Sequence, residues 1–141
     1  MNTSPAPAIR NVDHIHVFVS DRAAAERWYE RVLGFTRIPE YEFWAADGGP
    51  LTIQNREGTV HIALFERPAQ KNRATIALGV GAREIVQWHA HLSAQLGQAP
   101  SVEDHQLSMS LYFRDPDGNP YEITTYEYAA AKAGLAAAST A

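Results

Sequence analysis

The chain repeats itself at a spacing of 61 residues. His14-Ile15-His16-Val17-Phe18-Val19 opens one copy, and Thr75-Ile76-Ala77-Leu78-Gly79-Val80 opens the other. A helix-forming stretch follows each and ends on Leu33-Gly34 or Leu96-Gly97. Two copies of a strand-helix-strands unit can pack together and enclose a shared cavity. The copies agree in their apolar frame and disagree at polar positions. His14 corresponds to Thr75, and Ala63 to Glu122.

Within the first copy, 12–19 alternates as a strand does. Val17 and Val19 share one face, and His14, His16 and Phe18 the other. Ser20-Asp21 supplies a helix N-cap. Ala25, Trp28, Tyr29, Val32 and Leu33 then form one apolar stripe at helical spacing, and Gly34 suits the position just past the helix end. Three strands are predicted next, at 35–43 (interrupted by Pro39), 51–54 and 59–65. Asp47-Gly48-Gly49-Pro50 and Asn55-Arg56-Glu57-Gly58 are the turns between them. After a polar linker at 67–73, the second copy predicts a strand at 75–80 and a helix at 82–96 with Ile85, Trp88, His89, Leu92 and Leu96 on its buried stripe. Strands at 101–104, 107–113 and 121–125 complete it, with Asp115-Pro116-Asp117-Gly118-Asn119 as a tight turn. His91 and His105 are expected in solvent. The predicted fold is α+β: two tandem β-α-β-β-β modules, 9–66 and 74–128, whose mixed sheets cup a shared cavity. A loose arm at 1–8 precedes them. An alanine-rich tail at 129–141 follows, a frayed or packing helix at best.

Composition narrows the functions. With 141 residues, 45% of them hydrophobic, the chain can bury one core. Twelve basic against sixteen acidic residues give a net charge of -4 and no basic stripe, so nucleic acid is not an expected partner. No apolar run reaches the ~18 residues of a membrane span. The first residues carry neither the early basic group nor the apolar core of a signal peptide, so a cytoplasmic location is expected. Cysteine is absent, which excludes disulfides, thiolate nucleophiles and cysteine-based zinc sites.

Asp13-His14-Ile15-His16-Val17-Phe18-Val19-Ser20-Asp21, then Trp28-Tyr29 and Val32-Leu33-Gly34-Phe35, resembles the opening of the vicinal oxygen chelate superfamily. This group includes glyoxalase I, extradiol dioxygenases, fosfomycin-modifying transferases and bleomycin-resistance proteins. Tyr112-Phe113-Arg114-Asp115-Pro116-Asp117-Gly118-Asn119-Pro120-Tyr121-Glu122-Ile123 resembles its closing signature. The resemblance implies a small-molecule ligand, a homodimer, and in the metal-dependent members a divalent ion such as Fe, Mn, Ni or Zn. The ligand positions it implies fall on His14 and Glu122. A third, a histidine in the family, falls on Thr75, and a carboxylate position falls on Ala63. His61 would complete a two-histidine, one-carboxylate set with His14 and Glu122, and these three are the candidate catalytic and metal-ligating residues. His16, Thr75, Trp44, Phe113 and Tyr112 are candidate substrate contacts, with Tyr41 and Phe43 beside Trp44 as a pocket wall or as packing.

Three functions follow. The first is a metal-assisted lyase, isomerase or dioxygenase acting on a small oxygenated molecule in a cavity whose metal site is altered or incomplete. The second is a metal-free binding protein with an aromatic pocket, like the drug-sequestering members. The third is metal-free acid-base catalysis by His14 and Glu122. The modules can pair within one chain or across two, and the linker permits either.

Overall fold

The structure, a computed structural model, describes residues 5–68 and 70–139. Residues 1–4 of the expected arm and 140–141 of the expected tail lie outside the described residues. The repeat appears directly as topology. β1 (Ile15–Val19), β2 (Thr36–Arg37), β3 (Leu51–Gln54) and β4 (His61–Glu66) form one sheet in the order β1-β4-β3-β2. β5 (Ile76–Gly79), β6 (Ser101–Asp104), β7 (Met109–Arg114) and β8 (Pro120–Thr125) form a second in the matching order β5-β8-β7-β6. In each, the first and last strands run parallel and the others antiparallel. A parallel pair needs a crossover. The helical segment after β1 and the helix after β5 supply it.

The first crossover starts as α1 (Arg22–Trp28). Asp21 caps it by accepting from the Ala24 amide at 3.0 Å. It continues as a π-helical turn, Tyr29–Leu33, and stops at Gly34, whose φ of 74° is the left-handed conformation glycine adopts at least cost. α2 (Ala82–Leu96) ends in the same way at Gly97. Val17, Val19, Trp28, Tyr29 and Val32 of the first unit share one core with Ile85, Leu92, Leu111, Tyr121 and Ile123 of the second. Burial of each such side chain contributes about 1.5–3 kcal/mol. On α2 the expected stripe is narrower than predicted: Ile85 and Leu92 are buried, whereas Trp88, His89 and Leu96 are half-buried.

Two local readings are corrected, over 35–43 and at His91, and the tail takes the packing-helix alternative. The strand expected over 35–43 is cut to Thr36–Arg37, and Pro39–Ala45 is a 3-10 helix. Pro39 lacks an N–H and has a fixed φ, which suits the first helical turn and ends the ladder. The tail forms α3 (Tyr128–Ser139), with Ala131 and Leu135 buried against the rest of the chain. His91, expected in solvent, is half-buried, and its Nε2 donates to the Val32 carbonyl at 2.8 Å. None of the described helices is long and apolar enough to cross a membrane.

Candidate functional site

Strand register assembles the site on the helix-free face of the first sheet. On β4, Ala63 pairs with His16 of β1 on one side and with Thr52 of β3 on the other. Strand alternation therefore places these three in one row across the face, with His61 one pleat away. Ala63 and Thr52 are both buried, at 2% and 5% exposure. A cavity of about 250 Å³ opens here, lined by Asp13, His14, Tyr41, Trp44, Pro50, Thr52, His61 and Ala63. Its floor is small because Ala63 has only a methyl group. One wall is aromatic: the Tyr41 and Trp44 rings stack with centroids 4.5 Å apart and planes 20° apart.

The polar side of the cavity is a short chain of hydrogen-bonded side chains. Asp13 Oδ1 lies 2.8 Å from His14 Nδ1, and His14 Nε2 lies 3.0 Å from His16 Nε2. In the tautomer where His14 Nδ1–H donates to Asp13, Nε2 is free to accept from His16. The two rings meet edge to edge, with centroids 5.0 Å and planes 25° apart, and His16 packs on Phe65 at 4.7 Å.

The remaining candidates lie elsewhere. Glu122 pairs with Tyr112 across the second sheet, on its helix-free face. Its Oε2 accepts from the Ser110 hydroxyl at 2.8 Å. The Tyr112 hydroxyl is 3.0 Å from His105 Nε2. Desolvation, then hydrogen bonding to Glu122 and the charge of that carboxylate, push the Tyr112 phenol above its ordinary pKa. Thr75 is exposed just before β5. Phe113 pairs with Tyr121 and stacks on it at 5.6 Å, on the opposite face from Glu122.

The structure thus brings His14, His16, His61 and Trp44 together and keeps Glu122, Tyr112, Thr75 and Phe113 apart from them. Among the described residues, no three histidine or carboxylate side chains are grouped to hold a metal. Of the ligand set His14, Glu122 and His61, the two histidines line the first-sheet cavity and Glu122 lies on the second sheet. Asp13 and Thr52 are site residues absent from the candidates above. For Thr52 the signal was present, since alternation with buried Leu51 and Ile53 turns it to the opposite face.

Between the modules lies a second polar cluster. The Tyr29 hydroxyl donates to Asp115 Oδ2 and accepts from the Tyr121 hydroxyl, both at 2.7 Å. Burial, followed by Tyr121 and Asp115, holds the Tyr29 phenol far above the usual range. Asn119 Nδ2 donates to Asp115 Oδ2 at 2.8 Å and to the Phe18 carbonyl at 3.1 Å.

A sequence model of the Glyoxalase/Bleomycin resistance protein/Dioxygenase superfamily matches residues 11–123. No curated protein sequence matches the chain. Among solved structures, a glyoxalase/dioxygenase from Nostoc punctiforme has a TM-score of 0.67 at 19% identity, over 89% of this chain and 98% of that one. The fosfomycin resistance protein FosX from Listeria monocytogenes, complexed with Mn(II) and sulfate, has a TM-score of 0.63 at 15% identity, over 88% and 96%. These two likenesses are of fold alone. A virulence protein from Salmonella typhimurium is 26% identical over 85% of this chain and 99% of that one, with a TM-score of 0.53.

Proposed function

Given that the chain belongs to the glyoxalase/bleomycin resistance protein/dioxygenase superfamily, we propose that the cavity on its first sheet binds a small, planar, oxygen-bearing organic molecule. The observation that carries this reading is the stacked Tyr41–Trp44 wall facing a polar side of His14, His61 and Thr52. An aromatic wall favours a flat ring. The imidazoles and the Thr52 hydroxyl offer both donors and acceptors to its oxygens. At about 250 Å³ the cavity is smaller than the ~300–1,000 Å³ of drug-sized sites, which selects a ligand of about one ring.

His14 is the residue best placed to act on such a ligand. With Asp13 on Nδ1, its Nε2 can accept a proton from a ligand hydroxyl while His16 moves aside or hands on a hydrogen bond. Calorimetric titration with catechol, as a planar probe with two adjacent oxygens, tests the reading. A Kd that rises at least tenfold in His14→Ala supports it. Equal affinity in wild type and His14→Ala rejects it.

A second reading keeps the metal. Glu122 lies half-buried on the helix-free face of the second sheet, where a second copy can approach it. FosX, a fold relative, holds Mn(II). A homodimer that set Glu122 of one copy on the His14 cavity of the other would complete the set of His14, His61 and Glu122. Titration with Mn(II), Fe(II), Ni(II) and Zn(II), alongside sedimentation, tests this. Binding should be lost both in Glu122→Gln and on dilution to monomer. Binding that survives in Glu122→Gln rejects it.

A further inference from the structure

The aromatic wall of the cavity stands on a surface segment. No residue of the 3-10 helix Pro39–Ala45 is buried, and Trp44 is 44% exposed. At its two ends the Tyr41 amide donates to the Ile38 carbonyl at 3.1 Å, and the Ala46 amide to the Phe43 carbonyl at 3.3 Å. A stretch with few buried contacts opens at low free energy. Its rings nevertheless stack in register.

The structure assigns the restraint to Arg22. This first residue of α1 is fixed at its base, where its amide donates to Glu66 Oε2 at 2.9 Å. Its half-buried guanidinium reaches the wall from beneath. Nη1 donates to the Gly49 carbonyl at 2.7 Å, and Nη2 to the Ala45 carbonyl at 3.1 Å. One planar fork therefore joins the two ends of the loop that follows Trp44. Two fixed donors at one spacing define a loop geometry that a single flexible ammonium does not. The loop is also drawn tight: a Cβ at Gly49 would clash with the Trp44 carbonyl, so glycine is required for this closure.

We infer that Arg22 is a positioning residue for the cavity, latching the 39–49 segment so that Tyr41 and Trp44 stand as a preformed wall rather than a mobile flap. The inference rests on the cavity being the ligand site for its consequence, and on geometry alone for its substance. A charge-assisted latch implies that its removal speeds local opening about ten- to a hundredfold.

Hydrogen exchange on the full chain, without ligand, decides it. In Arg22→Gln, the hydrogen-bonded amides of the segment, Tyr41 and Ala46 among them, should exchange about ten- to a hundredfold faster while those of β4, β7 and β8 keep wild-type rates. Arg22→Lys, which retains charge but not the fork, should fall between. Unchanged exchange at those protected amides overturns the inference. Equal acceleration throughout the chain also overturns it, because Arg22 would then serve general stability. Catechol dissociation gives the functional arm: it should quicken in Arg22→Gln with association unchanged, and an unaltered dissociation rate overturns the role in retention. If wild type binds no catechol, the cavity reading fails, and the exchange result stands by itself.

Discussion

Tyr29 and Asp115 meet across the two halves of the chain: the phenol donates to Oδ2 at 2.7 Å, and both side chains are buried. The same hydroxyl accepts from Tyr121, so one oxygen ties a helix of the first module to two strand ends of the second. Tyr29→Phe leaves a buried carboxylate short of a donor and the Tyr121 hydroxyl without its acceptor. The expected cost is about 1–3 kcal/mol. Urea denaturation should show a lower midpoint with an unchanged slope.

The same cluster sets an alkaline limit. Burial holds the phenols of Tyr29 and Tyr121 above their ordinary pKa, so the folded protein keeps protons that the unfolded chain releases near pH 10. Their contribution is complete below pH ~10 and is lost as pH rises beyond it. Stability measured from pH 8 to 11 should fall above ~10, less steeply in Tyr29→Phe.

On the acid side, the Arg37 guanidinium holds Glu26 below the usual carboxylate pKa, chiefly by hydrogen bonds of 2.6 and 2.7 Å. A lowered folded pKa stabilises above the unfolded value of ~4.3 and is lost as pH falls through the folded one. The pair is partly exposed, which limits its worth to roughly 0.2–1 kcal/mol. Glu26→Gln should reduce the melting temperature slightly at pH 7, and the difference from wild type should vanish as pH drops below ~4.

Trp44 separates binding from folding. Because it is 44% exposed, Trp44→Ala should leave thermal stability within about 0.5 kcal/mol. Loss of the stacked wall should weaken catechol binding about tenfold, an aromatic contact being worth ~0.5–1.5 kcal/mol beyond its area. A weakened ligand with an unchanged melting temperature is the expected pair of results.

Gly134 makes a close approach possible between α3 and α2. A Cβ there would lie 2.8 Å from Val86 Cγ2. In a free helix Gly→Ala would gain about 0.8–1 kcal/mol. Here Gly134→Ala should instead destabilise, because the β-branched Val86 has little rotamer freedom to give way. Gly134→Ala combined with Val86→Ala should recover part of the helix-propensity gain relative to Val86→Ala alone, and a double-mutant cycle in denaturant measures the coupling.

Much of the architecture was legible because it rests on local rules. The alternation of Val17 and Val19 with His16 and Phe18, the cap at Asp21 and the stops at Gly34 and Gly97 all act within a few residues. The strand expected over 35–43 stops at Arg37. Pro39 ends the ladder, and the carbonyls at Ala45 and Gly49 are claimed by Arg22 from another element.

The candidate site divides along the same line. His14 and His16 share a face by pleat alone, so their neighbourhood was readable. Glu122 lies on the second sheet and His14 just before β1 of the first, and no spacing in the chain encodes how two modules approach. Asp115 and Asn119 look like turn residues in sequence, and they are. Their side chains also bond to Tyr29, Phe18 and Asn72 from the other half of the chain and the linker, a role visible only once the halves are docked.

The sequence by itself determined two β-α-β-β-β units, their caps, and the family they belong to, because period, capping and turn chemistry are short-range. Only the tertiary structure decided which polar residues share a cavity. Asp13, His14, Thr52, His61 and Trp44 converge through cross-strand register and a latched loop. Glu122 belongs to β8 of the other sheet, and the two halves meet through a shared apolar core and the buried Tyr29–Asp115–Tyr121 cluster, contacts that no local rule encodes.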